Sequence, residues 1–153
     1  MRSLTTLIAA VFTLVSFALT TNIVVKDGMY FNEDGSLFSG EYEQFESGIK
    51  LATISVNNGL LSGSAVYYHA NGAIKEEGTF INGKRSGSWF QYTSNGELTS
   101  VAAFHNDKKE GKWVIWDDAG KVRFEMYYSE GKKVGTWKMW DAEGTLTTKT
   151  FEQ

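Results

Sequence analysis

The side chains in this chain that could do chemistry are few and poorly placed for it. His69 and His105 are the only histidines, and neither sits in a metal-spacing motif. There is no cysteine, which removes thiol catalysis, thiolate metal sites and disulfides together. No Gly-x-Ser-x-Gly elbow presents a nucleophile, and no glycine-rich loop is built to cradle phosphate. Carboxylates are plentiful, at Asp117-Asp118, Asp141 and Glu143 among others. Calcium, however, wants about six to eight oxygens, more than such two-carboxylate turns supply. No carboxylate pair stands out as the acid and base of glycoside hydrolysis. The expectation is a protein without catalytic residues, metal or cofactor.

What is left is the chemistry of contact. Trp89, Trp113 and Trp137 recur at intervals of 24 residues, and each follows a basic pair: Lys84-Arg85, Lys108-Lys109 and Lys132-Lys133. An aromatic column left exposed is a candidate interface, since large apolar patches on soluble proteins mark partners. The basic pairs suit an anionic partner, such as phospholipid headgroups or an acidic protein, with each cation worth about 1 kcal/mol near an anionic surface. The plainer reading is that exposed turns favour charge and that lysine deters edge-to-edge aggregation. A net charge of −3 over 153 residues gives no overall pull toward nucleic acid.

The elements that must position these residues are written in the glycines. Gly63, Gly87, Gly111 and Gly135 form one column of the same 24-residue lattice, and Gly48, Gly72, Gly96, Gly120 and Gly144 a second. Gly59, Gly83 and Gly131 form a third, with Asp107 in the vacant place. A fixed period in this range marks a repeat architecture whose units bury one another's apolar surface. Between glycines each unit reads as an aromatic strand, a tight turn, a second strand and another turn. The absence of proline suits a backbone committed to a ladder. The fold class is therefore all-β: an elongated, single-layer antiparallel meander of hairpins advancing about 10 Å per repeat.

In the second strand of each unit Ile74, Gly78 and Phe80 share a face, as do Leu98, Ala102 and Phe104, and then Val122, Phe124, Met126 and Tyr128. In the first strand Val66, Phe90 and Val114 fall on one face with Tyr68, Tyr92, Trp116 and Trp140, and Trp89, Trp113 and Trp137 on the other. We read the Trp89/Trp113/Trp137 column as lying off the core and as the binding aromatics. Lys84, Arg85, Lys108, Lys109, Lys132 and Lys133 are read as an electrostatic edge, opposite a mostly acidic one. On that reading Trp113→Ala abolishes partner capture and leaves the melting temperature unchanged.

The first 20 residues are of another kind. Arg2 precedes an apolar run from Leu4 to Leu19, followed by polar Thr20-Thr21-Asn22. That is the pattern of a secretory signal peptide, and it predicts export to the periplasm or beyond after cleavage. The alternative is an uncleaved membrane anchor, for which this run is short of the roughly 20 apolar residues a span needs. Residues 21–153 then form one repeat domain, with a degenerate first unit over about 28–58 and regular units from Gly63, Gly87, Gly111 and Gly135.

The unit G-x-W-x-x-[YW]-x-x-x-G-x-[ILV], closing in [FY]-x-x-G-K-x-x-G, resembles the MORN-repeat variant of the YwqK-type antitoxin family over about residues 28 to 150. The stretch from Gly28 to Ile49 is similar to that family's degenerate first repeat, except that Gly40 to Gly48 is one residue shorter than the later spans. The resemblance implies an open sheet of hairpins with no catalytic residues to carry over. It also implies a protein partner or, in some settings, anionic membrane lipid. From it follow three expected roles: a protein-binding scaffold, an antitoxin or immunity protein, or a module for anionic lipid or the cell envelope.

Overall fold

The computed structural model of the chain describes residues 22–152, so the expected leader over 1–20 lies outside the described residues. Within them every regular element is a strand. A small two-stranded sheet comes first, β1 (Val24–Lys26) paired with β2 (Met29–Phe31). The main sheet follows: β3 (Gly40–Glu46), β4 (Ile49–Asn57), β5 (Leu60–Tyr68), β6 (Ile74–Ile81), β7 (Lys84–Tyr92), β8 (Leu98–His105), β9 (Lys108–Lys109), β10 (Gly111–Trp116), β11 (Val122–Ser129), β12 (Lys132–Trp140) and β13 (Leu146–Phe151). Its strands lie in chain order and pair antiparallel, an open meander as the glycine lattice predicts. Strands β9 and β10 are one arm interrupted at Glu110, both paired with β8.

Two kinds of turn alternate between the long sides of the sheet. On one side the second-third pairs Asn58-Gly59, Asn82-Gly83, Asn106-Asp107 and Glu130-Gly131 all carry positive φ, as a two-residue type I′ turn requires. Asp107 holds φ 67° where the other units have glycine. Its carboxylate accepts the Arg85 backbone N–H at 2.8 Å, a bond glycine could not make. On the other side the chain closes through five residues, with Gly72, Gly96, Gly120 and Gly144 donating to residues 69, 93, 117 and 141. Each kind of turn is tied to a neighbouring repeat. Gly83 and Gly131 donate to the carbonyls of Leu61 and Lys109 at 2.7 and 2.9 Å. A His69 ring nitrogen donates to the Tyr92 carbonyl at 2.9 Å.

The remaining glycine column makes a bulge. Glu77 pairs Phe90 and Thr79 pairs Ser86, so Gly87, Ser88 and Trp89 together oppose Gly78. Gly87 adopts φ 72° there, and a Cβ would meet nothing within 4 Å, so the backbone angle is what demands glycine. Gly135 repeats the device opposite Met126. The bulge keeps the alternation of sides while lifting the residue two places on, and that residue is the tryptophan.

The core lies on one face. Ala52, Ile54, Val56, Ala65, Trp89, Met126, Tyr128 and Trp137 are buried, and the pairings put all of them on the same side of the sheet. Among the described residues no second layer covers them; they cover one another. The N-terminal hairpin closes the first end. Tyr30 donates its N–H to Gly59 and stacks edge-on against Tyr42 at 5.4 Å.

Candidate functional site

The tryptophan column placed off the core by the sequence reading is the core. Trp89 is 2% exposed and Trp137 7%, with Trp113 half-buried between them. The pairings put this column on the same side as Phe80, Phe104 and Tyr128. The rings alternate in a ladder, with Phe80–Trp89 centroids at 5.0 Å, Trp89–Phe104 at 6.5 Å and Phe104–Trp113 at 5.1 Å. It continues through Trp113–Tyr128 at 5.3 Å, Tyr128–Trp137 at 5.1 Å and Trp137–Phe151 at 4.8 Å. Such edge-to-face and tilted contacts contribute roughly 0.5–1.5 kcal/mol each beyond area burial. Trp113 and Trp137 donate their indole N–H to the carbonyls of Ala103 and Tyr127, at 2.9 and 3.0 Å.

The basic pairs divide between the two faces. Arg85 lies 5.1 Å from the centroids of both Trp89 and Phe104. The Lys109 Nζ is 4.3 Å from Trp113 and 4.8 Å from Tyr128, and that of Lys133 is 4.7 Å from Trp137 and 5.5 Å from Phe151. The second cation of each pair therefore roofs the ladder, a contact worth about 0.5–1 kcal/mol at exposed sites. Of the first cations, Lys108 pairs with Glu130 at 2.6 Å, while Lys84 and Lys132 are exposed. The spacing of a basic residue four places before each tryptophan was visible in the sequence and signals this roof.

Phe45, Phe124 and Tyr127 are exposed singly, and the other aromatic column of the first strands is half-buried. Tyr68, Tyr92, Trp116 and Trp140 are half-buried along the five-residue-turn side of the sheet. Their cross-strand partners are Ile74, Leu98, Val122 and Leu146. Register shifts beside Lys75, Thr99 and Arg123 bring the first three of these next to the aromatics, instead of onto the face of Phe80, Phe104 and Tyr128 that simple alternation predicts. Ile74 and Leu146 are 38% and 49% exposed. The Tyr68 and Tyr92 hydroxyls reach Thr53 and Glu77, at 3.3 and 2.7 Å, on the face away from the ladder. Glu77 accepts that bond and pushes the Tyr92 hydroxyl up to about 12.

The acidic turns spend their carboxylates on local structure. Asp117 accepts the backbone N–H groups of Lys121 and Ala119 and pairs with Arg123 at 2.6 Å, which holds it below the usual carboxylate range. Arg123 also donates to the Asp141 carbonyl of the next turn. Among the described residues no group of three or more His, Asp or Glu side chains converges as metal ligands would.

Fold and surface together define a hairpin-repeat protein: one short unit, copied into an open antiparallel sheet. The family model that matches the chain is the MORN repeat variant, over residues 61–82 and again over 109–130. Both stretches begin two residues before a bulge glycine and end on the first residue of a two-residue turn, two periods apart. No curated protein matches the chain. Among solved structures, the crystal structure of the GtfA/B complex bound to UDP and GlcNAc is similar at 11% identity and a TM-score of 0.30, over 90% of this chain and 25% of that one. The chain thus spans a quarter of that protein's matched chain, and at that score the likeness bears on neither fold nor function.

Proposed function

We propose that the chain is a non-enzymatic scaffold that binds a protein through the aromatic edge row. The observation that carries this is the division of the aromatics: one column is spent on the core, while Tyr68, Tyr92, Trp116 and Trp140 stay accessible beside Ile74, Leu98, Val122 and Leu146. Four units give that row a length of about 40 Å. Tyrosine and tryptophan beside aliphatic side chains are the residues that anchor protein interfaces. MORN repeats are commonly protein- or lipid-binding modules, which supports the same reading. The lipid alternative is the weaker one, since Arg85, Lys109 and Lys133 lie over rings and Lys108 faces Glu130. The apolar run after Arg2 supports delivery of the domain outside the cytoplasm. The YwqK-type resemblance supports an antitoxin or immunity role as a finer version of the scaffold.

The test is affinity capture with residues 22–153 as bait at low and high salt, beside a Tyr92→Ala/Trp140→Ala bait that melts cooperatively. A partner held by the first bait at both salts and released by the second supports the row, and toxicity of that partner alone supports the immunity role. Retention only at low salt, unchanged by the double substitution, would move the binding surface to the lysine edge.

A further inference from the structure

Among the described residues the main sheet has two open edges, β3 and β13, and they are guarded differently. An open edge presents a row of unpaired backbone N–H and C=O groups, which natural proteins blunt with charge (lysine above all), proline, bulges or short strands. β13 carries Lys149, whose Nζ sits 5.3 Å from the Phe151 ring centroid. β3 runs for seven residues, Gly40–Glu46, and has no lysine, arginine or proline. Its one register shift falls on the partner strand: Gln44 faces Ala52 and Phe45 faces Lys50, which leaves Leu51 as the extra residue. The outer edge of β3 is therefore regular along its length. The N-terminal hairpin leaves it open, meeting the sheet at Gly59 and at the Tyr42 ring and pairing with no residue of β3.

The charge on this edge is all acidic. Tyr42 pairs with buried Ile54, so Glu41, Glu43 and Phe45 lie on the opposite face, away from the ladder. Glu41, Glu43 and Glu46 are exposed, and Phe45 is 55% exposed. No inner first strand has a carboxylate at the two matching places. Counted from the glycine that opens each strand pairing, Glu41 stands where the others have Ser64, Ser88, Lys112 and Thr136. Glu43 stands where they have Val66, Phe90, Val114 and Lys138. The packing of a repeat therefore gives no reason for this pair. Glu43 has an ion-pair partner in Lys50, while Glu41 and Glu46 have none among the described residues.

We propose that β3 receives a basic, extended segment of a partner protein, which joins the sheet as a further antiparallel strand. In strand addition the main-chain hydrogen bonds give affinity and alternate side chains give specificity. Opposite charges facing each other across two strands are favourable, and like charges are not. The fitting segment has lysine or arginine facing Glu41 and Glu43, and an apolar residue facing Phe45. A second copy of this chain fits poorly. β3 against β3 sets the carboxylates of the two copies side by side. β13 against β3 brings Thr148 and Thr150 to the face of Glu41 and Glu43, and Lys149 to the ladder face with Trp137. The edge is separate from the aromatic row that begins on β5, and the inference does not rest on that row.

The experiment titrates the full chain with blocked seven-residue peptides, read by calorimetry and by hydrogen exchange. The probe has leucine in second place, lysine in fourth and sixth, and threonine or valine elsewhere. One control replaces both lysines by glutamate. Two others keep the lysines and N-methylate alternate backbone nitrogens, in one phase or the other, so that one of them loses the donors that face β3. The lysine peptide should bind and slow exchange in residues 40–46. The glutamate peptide should bind about tenfold more weakly, and Glu41→Lys should cost the lysine peptide about fivefold. That variant should keep its melting temperature, since Glu41 is exposed and in no ion pair. One N-methylated phase should lose binding and the other keep it. No binding of the lysine peptide at millimolar concentration would overturn the proposal, as would equal binding of the glutamate peptide or undiminished affinity in Glu41→Lys. Binding by both N-methylated phases would reduce the contact to charge alone, and slowed exchange in residues 146–151 instead would move the receiving edge to β13; either result also overturns it.

Discussion

Trp89 and Gly78 show how narrowly the ladder is fitted. A Cβ built on Gly78 would stand 2.3 Å from Trp89 Cδ2, so the indole lies directly on the glycine backbone. The next units have Ala102 and Met126 in that position, and their tryptophans instead reach the carbonyls of Ala103 and Tyr127. Trp89 Nε1 is buried without a partner among the described residues. Trp89 has exchanged an indole hydrogen bond for close packing on the Gly78 backbone. Gly78→Ala should therefore destabilise the protein by about 1–3 kcal/mol, through overpacking of a site with no slack. Chemical denaturation would measure it, and an unchanged midpoint would mean that the indole is free to slide. By the same packing Trp113→Ala should lower the melting temperature, in contrast to the off-core expectation.

Hairpins, turns and bulges were legible in the sequence because glycine and asparagine punctuate them at a fixed step. Which face became the core was not. Each first strand carries aromatics on both sides, so alternation alone leaves Trp113 and Trp116 equivalent. In the structure Trp89 packs on Phe80 across the two-residue turn, while the shift beside Lys75 takes Ile74 across to Tyr68. The turns also set the pH response. Asp117 and Asp141 are held low by backbone N–H groups of Lys121 and Thr145, Glu125 by Lys112, and Glu130 by Lys108. A depressed folded value stabilises above the ordinary carboxylate pKa of about 4 and is lost as pH falls below it. The raised Tyr92 acts oppositely, stabilising below about 10 and failing as pH climbs toward about 12. The melting temperature should thus stay level from about pH 5 to 10 and fall on either side. Tyr92→Phe should make the alkaline fall shallower, with Tyr30, Tyr67 and Tyr128, raised by burial, and Lys50, Lys108 and Lys112, raised by their hydrogen bonds to Glu43, Glu130 and Glu125, keeping the rest.

At the scale of the molecule, the main sheet follows chain order, so stability is a sum over neighbouring hairpins. The buried residues fall into two clusters, Ala52, Ile54, Ala65 and Trp89 in one, and Met126, Tyr128 and Trp137 in the other. The Phe104–Trp113 contact at 5.1 Å joins them. Trp137→Ala should cost about 3–5 kcal/mol locally, and hydrogen exchange should show β11 to β13 losing protection while β4 to β7 keep theirs. Uniform loss across the sheet would mean that the clusters melt as one.

The ladder also has an optical consequence. From Phe80 to Phe151 each ring touches the next at a fixed tilt, so their electronic transitions are coupled along the sheet. The far-ultraviolet circular dichroism will carry an aromatic exciton band on top of the strand signal, and a spectrum read for backbone alone will misstate its strand content. That band is a built-in reporter: it vanishes when the rings part, whether or not the hydrogen-bonded hairpins beneath them are still intact.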